Sequence, residues 1–167
     1  MIGGTRILRP LVLALAARGE DVTVVARTQT ALDELRREAR GEVRALRCDY
    51  GDSLGFVALL ERELPFAVAV AYMPGAPAAS VRAVAASAEQ IVHVLPSAFA
   101  RPGIAGDELE AAAPAARGRT AQLLLGWTQQ RRWHTPDQIS VAALDLLDSG
   151  RPEGVLGLTR PWDDRPT

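Results

Sequence analysis

The stretch Ile2-Gly3-Gly4-Thr5, followed by an apolar segment from Ile7 to Ala17, decides the fold of this chain. The two glycines directly follow the end of a short apolar strand, and the apolar segment is long enough for a helix. Glycines let the backbone turn sharply, and a helix N-terminus attracts anions. A strand, a glycine turn and a helix in this order therefore predict an α/β fold with a phosphate-binding corner at Gly3, Gly4 and Thr5.

Short β-branched segments alternate with helical segments through the first two-thirds of the chain. This alternation predicts an α/β fold: a Rossmann-like, doubly wound parallel sheet with right-handed crossovers. The predicted strands are residues 1–2, 21–26, 43–48, 66–71, 90–95 and 122–127, and the predicted helices are residues 7–18, 30–40, 53–64, 78–87, 107–113 and 136–148. We interpret residues 1–167 as a single domain, in which residues 119–167 form a C-terminal strand-helix extension.

The opening strand has only two residues, which is short for the centre of a parallel sheet. The sequence therefore predicts either a frayed central strand or a natural chain that starts several residues earlier.

Composition narrows the class of protein. Hydrophobic residues make up 48% of the chain and the formal net charge is -1, which is typical of a soluble globular protein. No apolar segment approaches the ~20 residues that span a bilayer, and no leader pattern is present, so we expect no membrane partner. The single cysteine, Cys48, fits a reducing, cytoplasmic location.

All basic side chains of the chain are arginines. The absence of lysine excludes a lysine Schiff base and a tyrosine acid assisted by lysine. The arginines are interspersed with acids, so we expect no nucleic-acid partner. The two histidines lack a metal-ligand spacing, so no metal site is predicted. We interpret His93 as a core residue and His134 as a residue of the helix entry.

The end of the second predicted strand carries Arg27 and Thr28. An acid at this place, about 20 residues after the glycines, would bind the ribose 2′-hydroxyl of NAD. A guanidinium would instead pair with a 2′-phosphate, so Arg27 favours NADP over NAD. The simpler alternative is a solvated charge at a strand end.

Asp49 and Tyr50 follow the third predicted strand. Asp49 is placed to accept a hydrogen bond from an adenine amino group, although it could equally cap a turn. Because these polar residues and the glycine turn all follow the ends of successive strands, together they predict a dinucleotide site.

The glycine turn departs from the usual pattern at two positions. Arg6 and Arg9 stand where Gly-Gly-Thr-Gly-x-x-Gly would have its later glycines. Arg6 could either fill the phosphate site or pair with the phosphate. Arg9 must either turn outward or push the helix away from the sheet.

With these residues the chain resembles the short-chain dehydrogenase/reductase superfamily, and within it a group of small bacterial proteins of unassigned substrate. The most specific part of the resemblance is C-terminal. It comprises Leu124-Leu125-Gly126-Trp127, Arg132-Trp133-His134-Thr135, Gln138-Ile139-Ser140 and Pro161-Trp162. The resemblance implies a nicotinamide cofactor, NADP rather than NAD.

The resemblance also implies roles for three further residues. Tyr72, after the fourth strand, would lie beside the nicotinamide ribose, and Ser97 matches the active-site serine. The Tyr-x-x-x-Lys motif of the superfamily is absent, and Thr120 stands where the relatives carry a tyrosine. A water molecule or Thr120 would then replace that tyrosine.

Three functions are therefore open. The first is an NADP-dependent oxidoreductase that transfers hydride to or from a small carbonyl or alcohol compound. The second is a non-catalytic nucleotide sensor or interaction module that has lost the Tyr-x-x-x-Lys chemistry. The third is a chain in which Arg6 and Arg9 block the phosphate site. The apolar C-terminal half is compatible with a homodimer.

Overall fold

A computed structural model describes residues 1–166. Its strands are β1 (Val22–Ala26), β2 (Val43–Arg47), β3 (Phe66–Ala71), β4 (Ala88–Leu95), β5 (Arg119–Leu125) and β6 (Glu153–Leu156). Its helices are α1 (Arg9–Ala17), α2 (Gln29–Glu38), α3 (Ser53–Glu63), α4 (Ala78–Ala86), α5 (Gly106–Ala112) and α6 (Pro136–Ser149), with short 3₁₀ helices at Ser97–Ala100 and Trp162–Asp164. In residues 1–166 no helix has the length and apolar character needed to cross a membrane.

Ile2 joins two groups of parallel strands, β1-β2 and β3-β4-β5-β6. It forms bridges to Val25 of β1 and to Ala71 of β3, and its N–H donates to the carbonyl of Val70 at 2.9 Å. The resulting order is β2-β1-Ile2-β3-β4-β5-β6. Strand order therefore reverses at Ile2, and the predicted doubly wound parallel sheet is confirmed.

Helices cover both faces of the sheet. On one face α3 and α4 bury Phe56, Leu60 and Val84, whereas on the other face α1 and α6 bury Leu11 and Ile139. The crossovers through α4 and α6 advance in the same direction across the sheet but use opposite faces. They must therefore have opposite hands, and the prediction that all crossovers are right-handed is wrong for one of them.

Local sequence sets most element boundaries to within two residues of the predictions. The helix α6 begins with the predicted capping box, in which Thr135 and Gln138 bond each other's backbone N–H groups. The helix α1 begins at Arg9 instead of Ile7, with Pro10 in its first turn. The strand β5 begins three residues earlier than predicted, and β6 was not predicted as a strand.

The C-terminal residues that carry the resemblance pack against one another. Trp127 is fully buried, and its ring meets that of Trp162 edge to face at 6.1 Å between centroids. Trp127 also forms antiparallel bridges to Trp133 and Leu158. These residues therefore hold the segment after β6 against the end of β5.

Candidate functional site

The glycine turn lies at the carboxyl end of the central strand, where strand order reverses. Gly3 has φ +85°, and a Cβ there would lie 3.1 Å from the carbonyl oxygen of Tyr72. A Cβ on Gly4 would lie 2.9 Å from Cγ2 of Val12 in α1 and 3.0 Å from Cγ1 of Val24 in β1. Gly3 is therefore required by the backbone conformation. Gly4 is required by the close packing of the helix on the sheet.

The first turn of α1 has no N–H group left for a ligand. The N–H of Arg9 donates to the carbonyl of Arg6 at 3.1 Å, and Pro10 has no N–H. The N–H of Leu11 donates to Oγ of Ser140, also at 3.1 Å. The expectation that the helix tip itself would bind phosphate is thus corrected. The only sign of this hydrogen bond in the sequence is a serine, Ser140, on the apolar face of α6.

The turn that precedes α1 does retain donors. Two of its N–H groups donate to the carbonyl of Gly3. Within residues 1–166, the N–H groups of Gly4, Thr5 and Ile7 have no acceptor. Thr5 and Ile7 are half-buried at the surface of the turn. An anion bound here would be held by backbone donors of the turn.

The two arginines of the turn point to different surroundings. Nε of Arg9 donates to Oε2 of Glu38 in α2 at 3.1 Å, so Arg9 turns outward and leaves the turn open. Arg6 is exposed and forms no ion pair with the described residues. Of this pair, Arg6 alone has a guanidinium available to an anion.

The end of β1 brings a second unpaired guanidinium to the same edge. Arg27 follows β1 two residues after Val25, which pairs with Ile2, so it lies on the edge that carries the glycine turn. Arg27 is exposed and has no ion pair among residues 1–166. Thr28 is exposed at the N-cap of α2, and its side chain makes no capping hydrogen bond.

Asp49 and Tyr50 lie in the loop after β2. Oδ1 of Asp49 accepts a hydrogen bond from the N–H of Gly51 at 2.9 Å, so the turn-capping alternative applies to that oxygen. The carbonyl of Tyr50 accepts from Oγ of Ser80 at 2.6 Å, which ties the loop to α4.

Tyr72 lies directly after β3 and packs against Gly3. Burial and, to a lesser extent, the nearby Tyr50 raise the pKa of Tyr72 above its usual value. With no lysine in the chain to lower that pKa, the phenol of Tyr72 stays protonated at neutral pH.

An apolar cavity of about 460 Å³ adjoins this edge at the ends of β3 and β4. Its lining includes Met73, Val81, His93 and Phe99. Nε2 of His93 lies 2.9 Å from the carbonyl of Pro114, and burial lowers the pKa of His93. His93 is therefore a hydrogen-bonded core residue, as predicted, and the cavity suits an apolar ligand.

The structure separates Ser97 from Thr120. Ser97 begins the 3₁₀ helix after β4, so it lies on the edge that carries the cavity. Thr120 pairs with Ile91 near the start of β5, and its Oγ1 accepts from the N–H of Ala116 at 2.8 Å. Ile91, and with it Thr120, lies four residues, or ~13 Å of strand, before Leu95 at the end of β4. Because β5 begins earlier than predicted, Thr120 lies at the opposite edge of the sheet. Thr120 therefore cannot act beside Ser97, contrary to the expectation that it would replace the family's tyrosine.

Solved structures of similar fold are short-chain dehydrogenases and oxidoreductases. A short-chain dehydrogenase from Streptomyces avermitilis is 15% identical with a TM-score of 0.70, over 93% of this chain and 86% of that one. A metagenomic short-chain oxidoreductase solved with NADP is 18% identical with a TM-score of 0.60, over 99% and 95%. An anaerobillin reductase from Escherichia coli O157:H7 is 15% identical with a TM-score of 0.66, over 96% and 95%.

No protein-family model and no curated protein sequence matches the chain. The predicted resemblance to short-chain dehydrogenases is therefore confirmed at the level of the fold.

Proposed function

We propose that this chain binds NADP(H) at the edge of the sheet between the glycine turn and the end of β1. The observation that carries the proposal is that Arg6 and Arg27 lie on the same edge as two exposed guanidiniums that form no ion pair with any residue from 1 to 166. A dinucleotide with a 2′-phosphate has two anionic groups to match them. The similar metagenomic oxidoreductase solved with NADP supports this choice of cofactor.

The residues present fit such a cofactor. The free N–H groups of Thr5 and Ile7, with the guanidinium of Arg6, would hold the pyrophosphate. Arg27 would pair with the 2′-phosphate, with Thr28 beside it. Asp49, through the oxygen not used in its turn, would accept from the adenine amino group. The ring of Tyr72 would face the nicotinamide ribose, and Tyr50 would close the adenine side.

Binding without efficient turnover is the function that the geometry supports best. Ser97 has no acid partner of the expected type, because Thr120 lies at the opposite edge and no lysine is present. This favours a nucleotide-binding module that has lost the chemistry of its fold.

Hydride transfer is a second candidate, favoured by the apolar cavity at the ends of β3 and β4. NADPH, when bound, supplies a hydride. Ser97 would donate a hydrogen bond to the carbonyl oxygen of a small apolar substrate, and a water molecule would supply the proton. Ser97 would thus orient and polarise the substrate.

Titration calorimetry with NADPH and NADH tests the binding. We expect NADPH to bind at least tenfold more tightly than NADH. At one hundred times its dissociation constant NADPH should raise the free energy of unfolding by about 2.7 kcal/mol. Absence of heat with either cofactor at millimolar concentration would refute the proposal.

Absorbance at 340 nm with a panel of aldehydes and ketones then separates the two candidates. NADPH oxidation that Ser97→Ala reduces at least tenfold would support hydride transfer. Binding without oxidation of NADPH across the panel would support the nucleotide-binding module alone.

A further inference from the structure

A buried imidazole forms part of the wall of the apolar cavity at the ends of β3 and β4. The cavity lies between the loop after β3, the helices α4 and α5, the strand β4 and the 3₁₀ helix that follows it. Its volume is about 460 Å³, and His93 lines it although 2% of that residue is exposed. His93 therefore adds a polar ring to a wall that is otherwise mostly apolar.

The alternation of side chains along β4 places the ring of His93 on the cavity side of the sheet. Val92 and Val94 pack on the face covered by α1 and α6, whereas Ile91 packs on the face covered by α3 and α4. Residues two apart in a strand share a face, so His93 points to the same face as Ile91. Val81 of α4 lines the cavity on that face.

One hydrogen bond determines which nitrogen of the ring carries the proton. Nε2 of His93 lies 2.9 Å from the carbonyl oxygen of Pro114, and a carbonyl can only accept, so Nε2 is the donor. Burial lowers the pKa of His93 below its usual value, so the ring is neutral at pH 7. A neutral imidazole that donates through Nε2 has a free lone pair on Nδ1.

Nδ1 of His93 is open to the cavity. Within residues 1–166 the ring makes one hydrogen bond, the one through Nε2. The side-chain nitrogens of these residues that are cut off from both solvent and any partner are Nε1 of Trp127 and Nε2 of His134. Nδ1 of His93 therefore borders open space, and the cavity is the open space that this residue lines. The cavity thus contains a hydrogen-bond acceptor that lacks a donor.

The charge of the cavity favours a neutral ligand. Among the described residues Glu108 is the one charged side chain of the lining, and its Oε2 accepts from Nη2 of Arg101 at 2.7 Å. Both side chains of this pair are about half exposed, so the pair lies at the rim of the cavity and neutralises itself.

The size and the apolar lining of the cavity favour a small aromatic ligand. Liquid water occupies ~30 Å³ per molecule, so the cavity has room for up to about fifteen non-hydrogen atoms. The ring of Phe99 and the thioether of Met73 line it, and both groups pack favourably against aromatic rings.

We propose that this cavity binds a small, neutral, aromatic molecule that donates one hydrogen bond to Nδ1 of His93. A ligand with a hydroxyl or ring N–H gains a hydrogen bond inside an apolar wall, whereas a ligand without a donor leaves Nδ1 unpaired. His93 therefore determines specificity for a donor.

The proposal deepens the hydride-transfer candidate, and as a statement about a substrate it rests on that proposed function. A substrate reduced there would carry its donor at the end away from the carbonyl that Ser97 polarises. Binding in the cavity itself needs no nucleotide, because none of the residues assigned to the nucleotide lines the cavity.

The test compares indole, whose ring N–H is a donor, with 1-methylindole, in which a methyl group replaces that hydrogen. Calorimetric titration is carried out without NADPH, so a chain that fails to bind the nucleotide still gives a result. We expect indole to bind at least about tenfold more tightly than 1-methylindole and to shift the ¹⁵N resonance of Nδ1 of His93.

His93→Phe keeps a flat ring and removes the acceptor. In this variant the two compounds should bind within about twofold of each other, which assigns the preference of the parent chain to Nδ1. Circular dichroism checks that the variant is folded.

Two leucine variants test the cavity without altering His93. Ala112→Leu narrows the cavity and should weaken indole binding at least about tenfold. Ala86→Leu changes an exposed residue of α4 outside the lining and should leave the affinity unchanged. This pair also decides the matter if His93→Phe does not fold.

Four results would each overturn the proposal. They are equal affinity of the parent chain for the two compounds, a preference for indole that persists in His93→Phe, equal affinity of the two leucine variants for indole, and no heat with indole at millimolar concentration. The proposed binding of NADPH is measured separately, so its failure is distinguishable from any of these results.

Discussion

Oγ of Ser140 in α6 accepts a hydrogen bond from the backbone N–H of Leu11 in α1 at 3.1 Å. The contact joins two helices that are 129 residues apart in sequence and satisfies one of the N–H groups that a helix leaves unpaired at its start. It therefore serves the cap of α1, and it removes a backbone donor from the proposed nucleotide site.

Ser140→Ala tests this structural role. The N–H of Leu11 would lose its acceptor in a buried place, so we expect the free energy of unfolding to fall by about 1–3 kcal/mol. Urea denaturation measures the change, and Ser149→Ala, in an exposed position of the same helix, is the control. Equal stabilities for the two variants would contradict the assigned role.

Gly4→Ala tests the packing of α1 on β1. The added methyl would meet Val12 and Val24 at about the distance at which atoms overlap, so we expect a loss of about 1–3 kcal/mol. Gly106→Ala is the matched control, because a Cβ there meets no atom within 4 Å. Thermal denaturation of both variants checks the prediction, which fails if Gly4→Ala is as stable as the control.

Arg27→Ala tests the choice between NADP and NAD. Loss of a charged hydrogen bond to the 2′-phosphate should weaken NADPH binding by about 10- to 100-fold, which corresponds to ~1.4–2.7 kcal/mol. Affinity for NADH, which lacks that phosphate, should stay within twofold. Calorimetric titration with both cofactors gives the ratio, and a parallel loss for NADH would argue against the assigned role of Arg27.

Arg6 and Arg9 should behave differently although both stand in the glycine turn region. Arg6→Ala should weaken binding of both NADPH and NADH about tenfold, because it removes a charge beside the pyrophosphate. Arg9→Ala should leave both affinities unchanged, since Arg9 is paired with Glu38. Tighter binding by Arg6→Ala would instead show that Arg6 blocks the phosphate site.

The buried imidazole of His93 should make stability depend on pH. Burial lowers its pKa below the usual 6.5, so at a pH between the folded and unfolded values the unfolded chain binds a proton that the folded chain does not. The free energy of unfolding should therefore fall as the pH decreases below 6.5.

His93→Gln provides the control, because it removes the titrating group and keeps a side chain that can donate to the carbonyl of Pro114. The difference between the stabilities of the two proteins in urea denaturation isolates the imidazole. An identical dependence of stability on pH below 6.5 would contradict the prediction.

The sequence alone determined the architecture, because local signals for it are strong. Runs of β-branched, apolar residues indicated β1 to β4. Thr135 and Gln138 indicated the start of α6, and the two glycines indicated the turn after the central strand. Each of these depends on residues within a few positions of one another. The residues that would hold the nucleotide, from Gly3 to Tyr72, follow strand ends and could be named for the same reason.

Only the tertiary structure decided which groups of the site are free and which meet. Arg9 forms an ion pair with Glu38, and the N–H of Leu11 donates a hydrogen bond to Ser140. Thr120 lies at the edge of the sheet opposite Ser97. These outcomes depend on helix placement and strand register, including the opposite hands of the crossovers through α4 and α6. No local pattern encodes them, because they arise from packing between segments that are far apart in the chain.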